Sequence, residues 1–435
     1  MTLTGKKFFI NGHGDQDTTQ FYTIIKELGR GSQGIVYEIS IPDGRRFAMK
    51  TYPKAYLSLD RNIKKRIKEL AYMGSPHISF LWPQEYLELT DGSRIIEGYT
   101  MPIRLKEYVS STELMSGKLK VDFKSIIKAC MNLADAFFHL HANGLCYKDL
   151  SFGNFFFNPV NGECIICDID NICYSGQEGG VIGTPGFMAP EVVLGHSKPS
   201  ASSDLHSLAV LIFYMLYIHH PLEGKTEATI RIMDDHARRK IYGTDALYIF
   251  DPRDSRNRPE AGIHNNALIM NQILPERLKQ AFEKSFTTGL HEKNQRVVEA
   301  EWKIVLKKII DTIGHCDNCG QEVFLNEFEP ETSYACWSCK EIQYPICLRL
   351  EDQIILVAPG VVITAPSGNH LGTIIRHPNN SKLMALTNET SEVWEAFKPN
   401  GNKLAVHPLK SIVIGPGLAL DALGITMKLT QYIRS

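Results

Sequence analysis

Apolar and polar positions alternate early in the chain and fall into helical spacing later. Tyr22 to Leu28 and Ile35 to Ile41 read as strands, with Gly29-Arg30-Gly31-Ser32-Gln33-Gly34 between them. Pro42-Asp43-Gly44 signals a tight turn, and Arg46 to Thr51 returns as a third strand. From Asp60 to Met73, Ile63, Ile67, Leu70 and Ala71 recur at the helical period. Two more strands follow, divided by the Asp91-Gly92 turn. After Met101 the spacing is mostly helical, through Phe123 to His141, Leu205 to Ile218 and Leu278 to Phe286. This predicts a polar lead-in over 1–20 with at most a partial edge strand, a strand-rich lobe over 21–102 and a helical lobe over 103–312.

The pattern changes again at Gly314. A cysteine-rich stretch occupies 313–345, and short β-branched runs broken by Pro, Gly and Asn follow. Ile354 to Val357, Val361 to Thr364, Gly372 to Ile375, Leu404 to Val406 and Ser411 to Ile414 predict a small all-β domain over 346–435, a sandwich.

Composition narrows the class. A chain of 435 residues has room for roughly two to four domains. Its 43 % hydrophobic and 22 % charged residues are those of a soluble globular protein. A net charge of −1 argues against a dominant nucleic-acid or anionic-membrane surface. Phe8-Phe9-Ile10 is too short an apolar run for a secretory signal. Leu208 to Ile218 is the longest apolar stretch, short of the roughly 20 residues that span a bilayer, and reads as a buried core helix. Ten cysteines in a chain this long do not form a secreted disulfide framework, so a reducing cytoplasm is expected.

Several motifs then occur in a fixed order. Gly29-x-Gly31-x-x-Gly34-x-Val36 lies between two strands, which disfavours a dinucleotide-binding turn. Lys50 follows sixteen residues after Gly34, in Phe47-Ala48-Met49-Lys50, and Glu69 nineteen residues later on the predicted helix. Tyr147-Lys148-Asp149-Leu150-Ser151-Phe152-Gly153-Asn154 precedes the apolar Phe155-Phe156-Phe157, and Ile165-Ile166-Cys167 leads into Asp168-Ile169-Asp170. Gly183 to Glu191 ends in Ala-Pro-Glu, Asp204-Leu205-His206-Ser207-Leu208-Ala209 follows, and Arg296 stands where it can pair with Glu191.

From about 20 to 312 the chain resembles the eukaryotic-type Ser/Thr protein kinases. The resemblance implies an α+β, bilobal protein-kinase fold, followed here by a zinc ribbon and a small all-β sandwich. It implies ATP and Mg²⁺ as cofactors and transfer of a phosphoryl group to a protein substrate. Gly29, Gly31 and Gly34 would let backbone approach the phosphates, while Val36, Ala48, Met101 and Ile103 would enclose the adenine. Lys50 would hold the α/β-phosphates, fixed by an ion pair with Glu69. Asp149 would accept the substrate hydroxyl proton, and Asn154 and Asp168 would hold Mg²⁺, with Asp170 as runner-up ligand. Ser175 and Thr184 are candidate phosphosites, with Thr184 reading better as a structural hydroxyl near Asp149.

Four departures stand out: Tyr147-Lys148 for His-Arg, Ser151 for a lysine, Ile169 for Phe and Asp170 for Gly. A nucleotide-binding pseudokinase scaffold, or an adaptor acting through its tail, are the alternatives to an active kinase. Asp149 to Phe156, Cys167 to Asn171 and the insertion from Ile230 to Ile273 are similar to a narrower bacterial group. Those kinases resemble members of stress- or tellurite-associated phosphorylation modules, which implies a phosphatase 2C-like and a von Willebrand A-type partner.

Cys316-x-x-Cys319 and Cys336-x-x-Cys339, sixteen residues apart, have zinc-ribbon spacing. Four thiolates would close the coordination sphere, making Zn²⁺ structural. Glu322, Glu327, Glu329 and Glu331 flank the pairs and speak against nucleic-acid contacts. The last ninety residues, with Leu386-Thr387-Asn388, Pro399-Asn400-Gly401 and Gly415-x-Gly417, resemble the closing half of a forkhead-associated sandwich. That family's phosphopeptide-binding signature is not evident; Arg376 and His377 are the basic pair to test.

Overall fold

In the computed structural model, described residues are 3–10, 21–31, 33–175, 182–316, 318–325, 333–343, 345–351 and 353–431. Ser32, Glu327, Glu329, Glu331 and most of the lead-in lie outside them. The chain divides into two compact units, Met1–Leu268 with Ala281–Lys303, and Ile269–Gln280 with Ile304–Ser435.

The first unit begins with β1 (Lys7–Ile10), β2 (Phe21–Arg30), β3 (Ile35–Ser40), β4 (Arg46–Tyr52), β5 (Glu85–Thr90) and β6 (Ile95–Met101). They close in the order β1-β2-β3-β4-β6-β5. Strand β1 sits in the expected lead-in and pairs with both β2 and β5. Its Phe8 is fully buried among Ile24, Tyr37, Ile39, Met49, Leu87 and Leu89, a burial that contributes about 2–3 kcal/mol. The turns form as their residues dictate. Gly44 and Gly92 have φ of 89° and 84°, and Asp91 Oδ1 accepts from the amides of Ser93 and Arg94.

Between β4 and β5 run α1 (Lys54–Leu59) and α2 (Ile63–Met73). Helix α2 buries Ile63, Ile67 and Leu70, and Trp82 Nε1 donates to the Leu70 carbonyl at 2.7 Å. The helical part holds Phe123–Ala142 and Ala201–Tyr217. The apolar stretch from Leu208 is indeed a core helix. It starts at a Ser200–Ser203 capping box, and Phe213 stacks on Tyr217 with centroids 4.0 Å apart. A short strand pair, Leu145–Cys146 with Cys173–Tyr174, brackets the loop between them, and within it Phe155–Phe157 forms a hairpin with Cys164–Ile166.

In the second unit, two small hairpins pair Ile313–His315 with Glu322–Phe324 and Tyr334–Ala335 with Ile342–Gln343. A six-stranded and a four-stranded antiparallel sheet follow. Leu348, Leu420 and Met427 from the first meet Ile363, Ile374 and Leu386 from the second in one core around the fully buried Trp394. Ile346–Leu350, Trp394–Phe397, Ala419–Ala422 and Ile425–Gln431 add strands beyond those read from the sequence. Asn388 is fully buried; its Nδ2 donates to the carbonyls of Glu392 and Val406, and its Oδ1 accepts from the Thr390 amide. That residue locks a loop, which accounts for the Leu-Thr-Asn string.

Candidate active site

Strand β4 carries Lys50 inward, leaving it 4 % exposed. Its ammonium donates to Asp168 Oδ1 at 3.2 Å, Asp170 Oδ1 at 3.0 Å and Gln33 Oε1 at 3.0 Å. Burial opposes the charge, but the Asp170 and Asp168 carboxylates outweigh it and hold the ammonium well above its ordinary range. The glycines before it differ in purpose. A Cβ on Gly34 would stand 2.2 Å from the Thr51 carbonyl oxygen, so β3 approaches β4 only without a side chain. Gly29 and Gly31 face open space instead.

Asp168 adopts the left-handed conformation, φ 53° and ψ 50°, and its side chain is 38 % exposed. Burial in the cleft raises its carboxyl above the usual value; Lys50 opposes this, and the charges of Asp170 and Asp149 add to it. The loop that carries Asp149 is held from below. Asp204 accepts from the amides of Tyr147 at 2.5 Å and Lys148 at 2.9 Å, and Lys148 takes φ 70°. Tyr147, standing where the family has histidine, donates its hydroxyl to the Cys167 carbonyl. Asn154 Nδ2 donates to the Asp149 carbonyl at 2.8 Å, and the Cys167 amide donates to the Asn154 carbonyl at 3.0 Å. Thr184 Oγ1 donates to Asp149 Oδ1 at 2.6 Å.

Val36, Ala48, Met101 and Ile103 belong to one apolar cluster with Tyr99, Leu81 and Cys167. Ala48 and Met101 face each other across β4 and β6.

The expected Lys50–Glu69 pair is not made. Glu69 is on the outer face of α2, 59 % exposed, and its nearest cation is Lys65 at 3.8 Å. The cause is angular: Ile63, Ile67 and Leu70 turn inward, and two residues past Ile67 the helix points away. The position that does face the lysine's surroundings is Arg66, whose Nε donates to the Asp170 carbonyl at 2.8 Å. Asp170 is also no open metal ligand. It is fully buried, with Oδ2 accepting from Tyr52 Oη at 2.7 Å. Tyr52, Arg66 and Gln33 were missed in the sequence; the available signal was an acid where the family has glycine.

In the second unit, the sulfurs of Cys316, Cys319, Cys336 and Cys339 lie within 4.8 Å of one another. Cys316 to Cys339 is 3.6 Å and Cys319 to Cys336 is 3.7 Å. A tetrahedron with metal–sulfur bonds of about 2.3 Å has edges of about 3.8 Å, so the four fit Zn²⁺. Both pairs turn alike. Gly320 and Lys340 have positive φ, and their amides donate to the carbonyls of Cys316 and Cys336 at 2.9 Å.

The profile of the family described as protein kinase domain matches residues 22–316. Serine/threonine-protein kinase PknD of Chlamydia muridarum is 27 % identical over 244 residues, covering 47 % of this chain and 26 % of that protein. Human ribosomal protein S6 kinase alpha-3 is 31 % identical over 229 residues, covering 49 % of this chain and 29 % of its own length. Rat NUAK family SNF1-like kinase 2 is 23 % identical over 224 residues, 50 % of this chain and 34 % of that one. The chain thus spans about a quarter to a third of the length of these curated relatives.

Proposed function

This chain belongs to the protein kinase family, and on that premise we propose that it moves the γ-phosphoryl group of ATP to Ser or Thr hydroxyls on proteins. The observation that carries the reading is the direct contact of Lys50 with Asp168, next to a loop in which Asn154 holds the Asp149 carbonyl and accepts from the Cys167 amide. Gly29, Gly31 and Gly34 bring backbone to the phosphates, and Val36, Ala48, Met101 and Ile103 hold the base. Lys50 holds the α/β-phosphates. Asn154 and Asp168 offer the hard oxygen donors that suit Mg²⁺, which offsets phosphate charge when bound. Asp149 takes the proton of the attacking hydroxyl as its oxygen bonds to the γ-phosphorus and the bridging oxygen leaves with ADP. The Ser/Thr specificity follows the name of the chlamydial relative, a serine/threonine-protein kinase.

The cysteine cluster is proposed to hold one structural Zn²⁺. Its need for reduced sulfur favours a cytoplasmic setting. Among the described residues no helix is long and apolar enough to cross a membrane. Beyond it, the two-sheet domain is proposed as an interaction module of forkhead-associated type. Phosphatase 2C-like and von Willebrand A-type partners rest on the narrower resemblance alone. Ser151, in place of the family's lysine, favours the second reading, a nucleotide-binding scaffold without turnover.

Labelled ATP with Mg²⁺ separates the two. Wild type is expected to label itself or a generic protein substrate, and Asp149→Ala and Asp168→Asn to abolish it. Nucleotide binding without any transfer by wild type would establish the scaffold instead.

A further inference from the structure

We propose that Asp170 is the positioning carboxylate of Lys50, taking the place of the helix-borne glutamate. The inference rests on the phosphoryl-transfer reading above for its consequence, and on geometry for its substance. Lys50 is one of three groups gathered on this aspartate. Its ammonium lies 2.9 Å from Oδ2 and 3.0 Å from Oδ1, Tyr52 donates to Oδ2, and Arg66 holds the residue's own carbonyl. Asp170 is 0 % exposed, so its charge acts through little water. Asp168, the other carboxylate on Lys50, is open to the cleft and 3.2 Å away. One acid therefore faces the cleft and the other stands behind the lysine.

The helix completes the case by what it lacks. Where α2 turns toward this cluster it presents a guanidinium, itself tied to Asp60 at 2.6 Å, while Glu69 points outward. With glycine at 170, Lys50 would keep only the cleft-facing Asp168 as a carboxylate, while Arg66 would keep the main-chain carbonyl and Asp60.

A regulatory consequence follows. The anchor of the phosphate-binding lysine rides on the segment that carries Asp168, not on α2. Displacing that segment would remove the Asp170 contacts of Lys50 and Arg66 in one movement, whereas a shift of Glu69 on the outer face of α2 would leave Lys50 in place.

The test compares Asp170→Asn, Glu69→Gln and the pair Asp170→Gly and Asp170→Gly/Arg66→Glu, each checked for folding by thermal melting. Two readouts are used: affinity for a fluorescent ATP analogue, and the rate at which cyanate carbamylates Lys50, read by mass spectrometry. Asp170→Asn is expected to weaken nucleotide binding at least about tenfold, the weight of a lost charged hydrogen bond, and to speed carbamylation by freeing the amine. Glu69→Gln should stay within about twofold on both, and Arg66→Glu should recover part of what Asp170→Gly loses. Equal behaviour of Asp170→Asn and wild type on carbamylation, or equal damage from Glu69→Gln, would overturn the assignment. Absence of phosphoryl transfer by wild type, with these differences intact, would instead remove the kinase reading and leave the anchor standing.

Discussion

Arg296 grips Glu191 across 105 residues of sequence through two parallel hydrogen bonds of 2.8 Å each. The arginine is 4 % exposed and gives two further donors to the carbonyls of Gly289 and Ser202. The fork ties the Ala-Pro-Glu triplet to the far end of the helical lobe. Replacing it takes two donors from a half-buried carboxylate and one from each of two carbonyls, so Arg296→Met is expected to cost about 3 kcal/mol. Urea unfolding of the full chain measures this; a change below about 1 kcal/mol would remove the pair from any structural role.

Thr184 occupies Asp149 with a 2.6 Å hydrogen bond. A phosphate there would set two anions together, so Thr184 is a structural hydroxyl rather than an activating phosphosite. Thr184→Val should lower kcat about tenfold with little change in KM for ATP, since one hydrogen bond to a charged group is lost. Thr184→Ser should restore most of the rate. A Thr184→Asp variant more active than wild type would reverse the conclusion.

His141 bridges Asp204 at 3.1 Å and Glu299. Burial opposes its charge, but the hydrogen bonds it donates to Asp204 and Glu299 outweigh burial and hold the imidazolium up to about 9. A raised folded-state value gives stability that is complete below the ordinary histidine value near 6.5 and lost as pH climbs through about 9. Melting temperature should therefore fall between pH 6.5 and 9.5, and His141→Gln should flatten that slope. An unchanged slope in the variant would place the loss elsewhere.

Four strands of two or three residues cannot hold the cysteine-rich hairpins unaided. Their apolar support is small, chiefly Val323 and Leu325 beside the sulfurs. About one zinc per chain is expected, lost on Cys316→Ser, and chelation should open the amides of 313–343 to hydrogen exchange. Full metal removal with unchanged protection would show the hairpins stand alone.

The glycine turn, the lysine strand and the two aspartate loops were legible because each is a short contiguous string whose spacing is set by backbone length. The Glu191–Arg296 pair was legible for the same reason at longer range. What escaped was set by direction. Nineteen residues separate Lys50 from Glu69, yet distance along the chain does not say which way a helix faces, and Ile63 and Ile67 decide that. Tyr52 and Arg66 act only in three dimensions, around an Asp170 that sequence could show as odd but not as buried. Weakly patterned strands such as Ala419–Ala422, each with a single solvent face, were hidden for want of length.

Strand β1 changes what the first lobe offers to other chains. By pairing with β2 on one side and β5 on the other it seals the sheet into a ring. An open β2 or β5 edge would expose a ladder of free amides and carbonyls ready to template a neighbour. The family match begins at residue 22, beyond this strand. The four residues Lys7 to Ile10 therefore act as an inbuilt guard against edge-to-edge association, and the lobe trimmed to its family boundary would be the sticky form of the protein.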